Sequence, residues 1–591
     1  MTVLSKTDVA FFETTRRLLS HLVNEGLCLA FIEPTAKDPV QWLCLTSTQR
    51  DYGSTCMVKV HFIPERVVLG DAGQVTSLVR PHQLRPRVLL DCDGQPLRLE
   101  LDPGVIFQSV YPWFGKTDEN SLIVRDQITR ELQNASANQE TWLDVDAQLP
   151  QLDLFSPAIE WEKTLITGHP THPLHKTLFT QAPLPQICPN EIWQMLSPEI
   201  VFLSVPRSQV RLSGPFEATL GDLLTTLGIA GCSADRVIVP SLAQQRPAID
   251  SRFSEVQVVG SDRASAQASM RTVSLRPELQ FKYHLKLSLA CQITSALRTI
   301  TPWTVLGGAE VSRLLEKLLP PDMWVFREVA GVTGAQADFN DAKHLSCILR
   351  EDLELRANLQ NESLILASAL SQHPVSGIGK SHAESLLPPE GKKEWLQKYV
   401  ACLLNLTLVP LVNHGIGLEA HGQNICVRIC RKTKAVKGFA VRDLGGIRLH
   451  LPTLRSQGFE LRDIPPGAAT TTDSLDDVWS KVHHSLFQNH LGHLIVALGL
   501  EEQGGWEIVR NEIKAILHPM DQLGSTHAAQ LYEFLLAKTM PFKCFLSMRM
   551  EGKYRDFQCW SRQWRHRAEF DAVGPAMKLH STPPGPITAC Q

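Results

Sequence analysis

Glu419-Ala420-His421-Gly422-Gln423-Asn424 and, one hairpin later, Val441-Arg442-Asp443-Leu444-Gly445-Gly446 are the stretches on which the reading of this chain turns. Between them Ile425, Val427 and Ile429 alternate with Cys426, Arg428 and Cys430, the period-2 signature of a half-buried strand. A basic turn over residues 431–437 leads into Gly438-Phe439-Ala440-Val441, so two antiparallel strands are predicted. Folding that hairpin brings Asn424 and Asp443 to one open end, beside His421 and Arg442. An amide oxygen and a carboxylate converging there suit Mg²⁺, which takes hard oxygen ligands together with phosphate oxygens. An ordinary surface hairpin with polar ends is the alternative.

Outside this segment the totals set broad bounds. A chain of 591 residues is too long for one core and is expected to divide into several domains. Apolar residues make up 43%, enough for globular cores, and the net charge of −3 gives no electrostatic case for a nucleic-acid or membrane-surface binder. One local basic run, Lys553, Arg555, Arg562, Arg565 and Arg567 among Tyr554, Phe557, Trp560 and Trp564, reads as a C-terminal helix with a solvated basic face. Fourteen cysteines without CxxC pairs point to reduced thiols and a cytoplasmic protein. The N-terminus shows no signal-peptide pattern, and the apolar run at residues 403–412 reads as too short and too polar to span a bilayer.

Along the chain, residues 8–25 form an amphipathic helix that Asp8 can cap, followed by strand candidates at 41–45, 58–62, 88–91 and 97–101. Polar segments 134–140 and 144–156 mark an exit from this first domain, and residues 371–393 read as a flexible connector. The expected units are residues 1–155, 156–375 and 376–591. Irregular alternation of strands and helices favours α+β over a doubly wound sheet.

Three histidines at spacing three in Gly168-His169-Pro170-Thr171-His172-Pro173-Leu174-His175-Lys176 invite a zinc reading, but two prolines forbid a regular helix and no fourth ligand is evident. A stiff loop presenting imidazoles and Lys176 to a polyanion fits better. Ser269-Met270-Arg271-Thr272 offers two hydroxyls and a guanidinium to phosphate or carboxylate. In His284-Leu285-Lys286-Leu287-Ser288, Lys286 and Ser288 share a strand face, and Thr294-Ser295 is expected to open a helical turn carrying Arg298. A cation in apolar alternation is costly unless paired or used.

In this order the segments resemble the NRPS-independent siderophore (NIS) synthetases, the IucA/IucC-like family, whose hallmarks are GHPxHPxxK, SxRT, KLS…ITxxxR, ExHxQN and RDxxG. Lys543-Cys-Phe-Leu-Ser-Met-Arg549 resembles the family's basic C-terminal motif. The resemblance implies an α+β multidomain cupped hand of thumb, fingers and palm. It also implies ATP and Mg²⁺ as cofactors and activation of citrate or a related carboxylic acid as an acyl-adenylate, which an amine or alcohol then attacks. Carried over motif by motif, His169, Arg271, Lys286, Arg298 and His421 are the catalytic candidates. Lys176, Ser269, Thr272, Ser288, Gln423 and Arg442 would bind nucleotide, and Asn424, Asp443 and Glu419 would hold the metal. No nucleic-acid or membrane partner is implied, and a homodimer is left open.

Two departures stand out. The family loop continues KxRxG, whereas this chain reads Lys176-Thr177-Leu178-Phe179-Thr180, and a PVHPWQ segment survives only as Pro240-Ser-Leu-Ala-Gln-Gln245. Two rival readings remain: a kinase-like phosphotransferase, which lacks a base aspartate near Gly422, and a non-catalytic relative that binds ATP or a carboxylate. A P-loop at Ser376-Gly-Ile-Gly-Lys380-Ser381 fails, because its first glycine falls on Pro374.

Overall fold

The computed structural model describes residues 4–563, apart from 34–39, 49–55, 65–66, 71–72, 93–95, 295, 375–378, 388–390, 538 and 553–557. An antiparallel sheet of Leu29–Glu33, Gln41–Thr46, Met57–Phe62, Leu84–Asp91 and Arg98–Leu99 opens the chain. The helix Lys6–Asn24 packs with it, capped by Ser5 rather than Asp8: Ser5 Oγ accepts from the Asp8 amide, and the Asp8 carboxylate accepts from the Ser5 amide. Of the two polar stretches expected to leave this unit, residues 134–140 lie inside the 28-residue helix Glu119–Asp146, and residues 144–156 run on from its end. Its polarity serves tertiary bonds. Asn138 Nδ2 donates to the Lys176 carbonyl (2.9 Å), and Asn134 Oδ1 accepts from the Leu178 amide (2.9 Å).

The central sheet has eight strands, ordered Val210–Ser213, Glu328–Gly334, Cys347–Glu351, Tyr283–Leu287, Thr272–Leu275, Gln257–Ala266, Glu199–Pro206 and Arg236–Leu242, with every neighbouring pair antiparallel. Beside it, Leu178–Thr180, Cys291–Ile293 and Ala296–Leu297 form a small sheet. The helical turn expected at Thr294 is a tight hairpin, with Thr294 in the left-handed region (φ 61°).

A further, four-stranded sheet is ordered Met323–Val325, Val436–Val441, Ile425–Cys430 and Glu362–Leu366. Ile425 pairs with Val441, so the hairpin and its open end are as read from the sequence. The strand is not half-buried, however, for residues 425–429 are buried on both faces. Arg428 is tolerated inside because its Nε donates to Glu362 (2.8 Å) and its guanidinium lies 3.6 Å from the Trp324 ring centre. Against this sheet packs the helix Lys392–His414, which is long and apolar enough by composition to cross a membrane. Its apolar window is 67% buried within the protein.

Three large cores result. The first draws Leu546 and Met550 from the far end of the chain, and the third mixes residues 154–165 and 311–370 with those beyond 395. At the C-terminus, Gln558–Gln563 is a strand paired with Thr539–Phe542, not the expected helix. The rest of the basic aromatic run lies outside the described residues.

Candidate active site

A cavity of about 650 Å³ lies where the motifs meet. His169, Lys176, Ser269, Arg298, Glu419, His421 and Gln423 line it. Arg271, Thr272, Lys286, Ser288, Asn424, Arg442 and Asp443 do not, and stand behind that wall or are spent on structure.

The hairpin end is a chain of short contacts. The Arg442 amide donates to the Asn424 carbonyl (3.0 Å), closing the strand pair, and the next residue, Asp443, turns out of the sheet with φ 64°. Asp443 Oδ1 lies 2.5 Å from Lys286 Nζ. Burial acts to raise the Asp443 pKa, but Lys286, Arg350 and Arg271 outweigh it and hold the carboxyl far below the usual range. Lys286, 3% exposed, has Glu328 as its second carboxylate at 3.1 Å.

Opposite, Glu419 accepts from Asn424 Nδ2 (3.3 Å) and pairs with Lys481 at 2.5 Å. Gly446 permits this: an ideal Cβ there would overlap Glu419 Oε2 and stand 2.6 Å from Cδ. The backbone leading to His421 is pinned by His490, whose Nδ1 donates to the Ala420 carbonyl (2.9 Å) while Nε2 accepts from Tyr399 Oη (2.7 Å). Burial keeps the His421 pKa below its ordinary value, although Glu419 opposes this, and His421 Nδ1 accepts from the Gln423 amide (3.2 Å).

The histidine loop differs from expectation. His175 is structural, with Nδ1 donating to the Thr167 carbonyl (2.7 Å) and Nε2 accepting from Thr14 (3.1 Å). His172 Nδ1 accepts from the Leu174 amide, and its ring stacks on Phe545 with centres 4.2 Å apart. Lys176 Nζ donates to the Leu165 carbonyl (2.6 Å) over the Trp142 ring, and burial drives its pKa well down. His169 faces the cavity. Its Nδ1 accepts from the Thr171 and His172 amides, and burial holds it neutral. Where the family loop carries arginine, buried Leu178 lines the cavity wall.

Three nucleotide-binding expectations meet committed side chains. Ser288 Oγ donates to the Lys343 carbonyl (2.7 Å) and accepts from the Ile300 amide (3.1 Å), tying a strand end to two loops. Thr272 Oγ1 accepts from Ser269 Oγ (3.0 Å) beneath a turn in which Met270 has φ 62°. Arg442 pairs with both Glu162 oxygens, Nη2 at 3.0 Å, and Nε donates to the Gln423 carbonyl (2.9 Å). Burial opposes the Arg442 charge, but Glu162 raises its pKa above the ordinary value. Arg271 reaches the Arg298 and Thr299 carbonyls at 3.3 Å, and burial lowers it to about 10. Arg298 Nη2 donates to the Ile293 carbonyl (3.1 Å), which fixes its hairpin.

Sequence reasoning missed Glu162, Gln267, Glu328 and Arg350. Glu162 also accepts from the Ala268 amide (3.0 Å), so one carboxylate clamps the segment before Ser269 to the residue before Asp443. Gln267 Oε1 accepts from Arg350 and from Arg442. Glu328 opens the strand Glu-Val-Ala-Gly-Val-Thr-Gly and is its one charge, a cue like the one that singled out Lys286.

Glu419, Asn424 and Asp443 are hard oxygen donors around one turn, and Asn424 spends its nitrogen on Glu419, leaving Oδ1 as a donor oxygen. Among the described residues no three acidic, histidine or cysteine side chains form a closed metal cluster. Any cation held by this set would have to complete its shell with phosphate oxygens, because the set does not enclose one by itself.

Family models described as "IucA / IucC family" and "Ferric iron reductase FhuF-like transporter" match residues 243–372 and 393–556. The chain is 44% identical over 573 residues to the NRPS-independent siderophore synthetase-like protein ankE of Aspergillus thermomutatus, covering 94% of this chain and 93% of the relative. It is 32% identical to the NRPS-independent siderophore synthetase rfs of Rhizopus delemar, covering 76% and 73%. Its fold is that of the petrobactin biosynthesis protein AsbB from Bacillus anthracis (TM-score 0.73, 18% identity, 92% and 93% covered). ATP-bound aerobactin synthetase IucA from Klebsiella pneumoniae shares it too (TM-score 0.66, 14% identity, 95% and 99% covered). With these matches added to the motif order, the chain belongs to the family of NRPS-independent siderophore synthetases.

Proposed function

We propose that this chain is an ATP-dependent carboxylate ligase. It activates a polycarboxylic acid such as citrate as the acyl-adenylate and condenses it with an amine or alcohol, releasing pyrophosphate and then AMP. The observation that carries this reading is the single cavity on which His169, Ser269, Arg298, Glu419, His421 and Gln423 converge from four separate segments, above the Lys286–Asp443 pair.

The chemistry asks for this layout. A carboxylate oxygen attacking the α-phosphorus brings two anions together, so positive charge fixed in place lowers the barrier more than mobile charge does. Arg298 on the wall, with Lys286 and Arg271 behind it, supplies that charge. Glu419, Asn424 and Asp443 would hold Mg²⁺, which when bound neutralises phosphate charge. In the second half-reaction the attacking amine must lose a proton, and His421, where Glu419 offsets part of the burial that disfavours an imidazolium, is the better acceptor. Leu178 removes one cation from the wall relative to the family loop, which favours an acyl substrate with fewer charged groups at that point.

A carboxylate-dependent assay with Mg²⁺-ATP and hydroxylamine tests the proposal. Hydroxamate with AMP and pyrophosphate from citrate, tricarballylate, succinate or 2-oxoglutarate is the expected result. ADP instead of AMP would overturn it in favour of phosphoryl transfer.

A further inference from the structure

Lys286 has two carboxylates of unlike standing. Asp443 is reached from the hairpin end, and its side chain is 27% exposed, whereas Glu328 is 1% exposed. Glu328 is also locked from behind. Its amide donates to Ser312 Oγ (2.9 Å), and an ideal Cβ on Gly308 would come within 2.8 Å of Oε2, so the carboxylate abuts the helix Pro302–Leu318 at its closest point. Oε2 has no hydrogen-bond partner among the described residues, which leaves Lys286 as the contact that justifies burying this charge.

An anion entering from the cavity must therefore compete with Asp443 for the ammonium and cannot reach Glu328. We infer that Glu328 is a positioning residue of the ligase: it anchors Lys286 just behind the cavity wall, so that Lys286 can exchange Asp443 for a substrate anion without swinging away. Glu328 itself touches no substrate. The cluster of Lys286, Arg271 and Arg350 facing Glu328 and Asp443 keeps an excess of positive charge, which an incoming phosphate or carboxylate completes.

This inference rests on the adenylation reading, and the test separates the two. Glu328→Gln keeps the shape and removes the charge. Expected are a loss in kcat for AMP formation of thirtyfold or more, a KM for the carboxylic acid changed less than threefold, and partial recovery in Glu328→Asp. In a Lys286→Met background, Glu328→Gln should cost nothing further, because the residue it positions is gone. An equal loss in both backgrounds, or an unchanged kcat in Glu328→Gln, overturns the inference. If wild-type protein makes no AMP with any acid, the ligase reading fails, and ATP affinity by calorimetry takes the place of kcat. Weakening by Glu328→Gln that vanishes in Lys286→Met then upholds the anchor, and additive weakening or none overturns it. If Glu328→Gln does not fold, Glu328→Asp serves in the same cycle with the same criteria.

Discussion

Gly446→Ala is the sharpest perturbation this site permits, because one methyl group is set against one carboxylate. The backbone at Gly446 is not in the left-handed region, so alanine meets no conformational barrier, and the whole effect comes from the overlap with Glu419. To make room Glu419 must leave Lys481 at 2.5 Å and Asn424 at 3.3 Å. A charged hydrogen bond is worth about 1.5–3 kcal/mol, so losing the pair, partly offset by hydration of the displaced carboxylate, costs about 2–4 kcal/mol. Urea denaturation measures that cost, and AMP formation should fall by two orders of magnitude or more. Glu419→Ala supplies the control. It removes the overlapping atoms, so adding Gly446→Ala to it should cost almost nothing, and a coupling energy of about 2 kcal/mol or more is expected. Costs that add to within about 0.5 kcal/mol would refute the reasoning, since they would mean that the two residues do not meet.

Other perturbations give distinct readouts. Asp443→Asn should leave the circular dichroism spectrum close to wild type while abolishing carboxylate-dependent AMP release; retained turnover would remove Asp443 from the site. Glu162→Ala strands the buried Arg442 guanidinium and should destabilise by about 3–5 kcal/mol in urea, whereas an exposed ion pair would show about 1 kcal/mol or less. Burial pushes His483 and His490 down to about 4, so the unfolded chain binds more protons below its own pKa near 6.5. Their stabilisation is complete above pH 6.5 and is lost as pH falls toward 4, on the order of 3 kcal/mol per imidazole across that window. The melting temperature should therefore drop steeply from pH 6.5 to 4, and His483→Gln should flatten the drop.

The parts of the site that were legible in the sequence are those where local pattern and chemistry coincide. Alternation gave the hairpin, and hairpin geometry put Asn424 beside Arg442 and Asp443 one step beyond. Polarity misled wherever polar groups bond within the protein. Asn134 and Asn138 looked like a linker, yet they bind the Lys176–Leu178 backbone across a helix face. His175 and Ser288 looked like ligand groups, and Thr14 and backbone groups of the protein occupy their polar atoms. Arg442 sits in a phosphate-like motif, but a carboxylate 280 residues away claims it. Such partners carry no local signature, because periodicity describes which face is buried and not what waits there.

The end of the chain bears on how the protein is made. Glu25, the C-cap of the first helix, accepts from the Leu546 and Ser547 amides (2.8 and 2.7 Å), and Arg549 binds buried Glu131 (Nε to Oε2, 2.8 Å). Leu546 and Met550 complete the first core, while Lys543 and Phe545 line the cavity. A ribosome that has made the opening sheet and its helices has therefore made a core with a slot left in it, and two buried glutamates facing that slot. The slot closes only when residue 550 has cleared the exit tunnel, so the first part of the polypeptide to emerge is among the last to reach its native state. Nascent chains halted before residue 543 should lack both the closed core and the completed cavity.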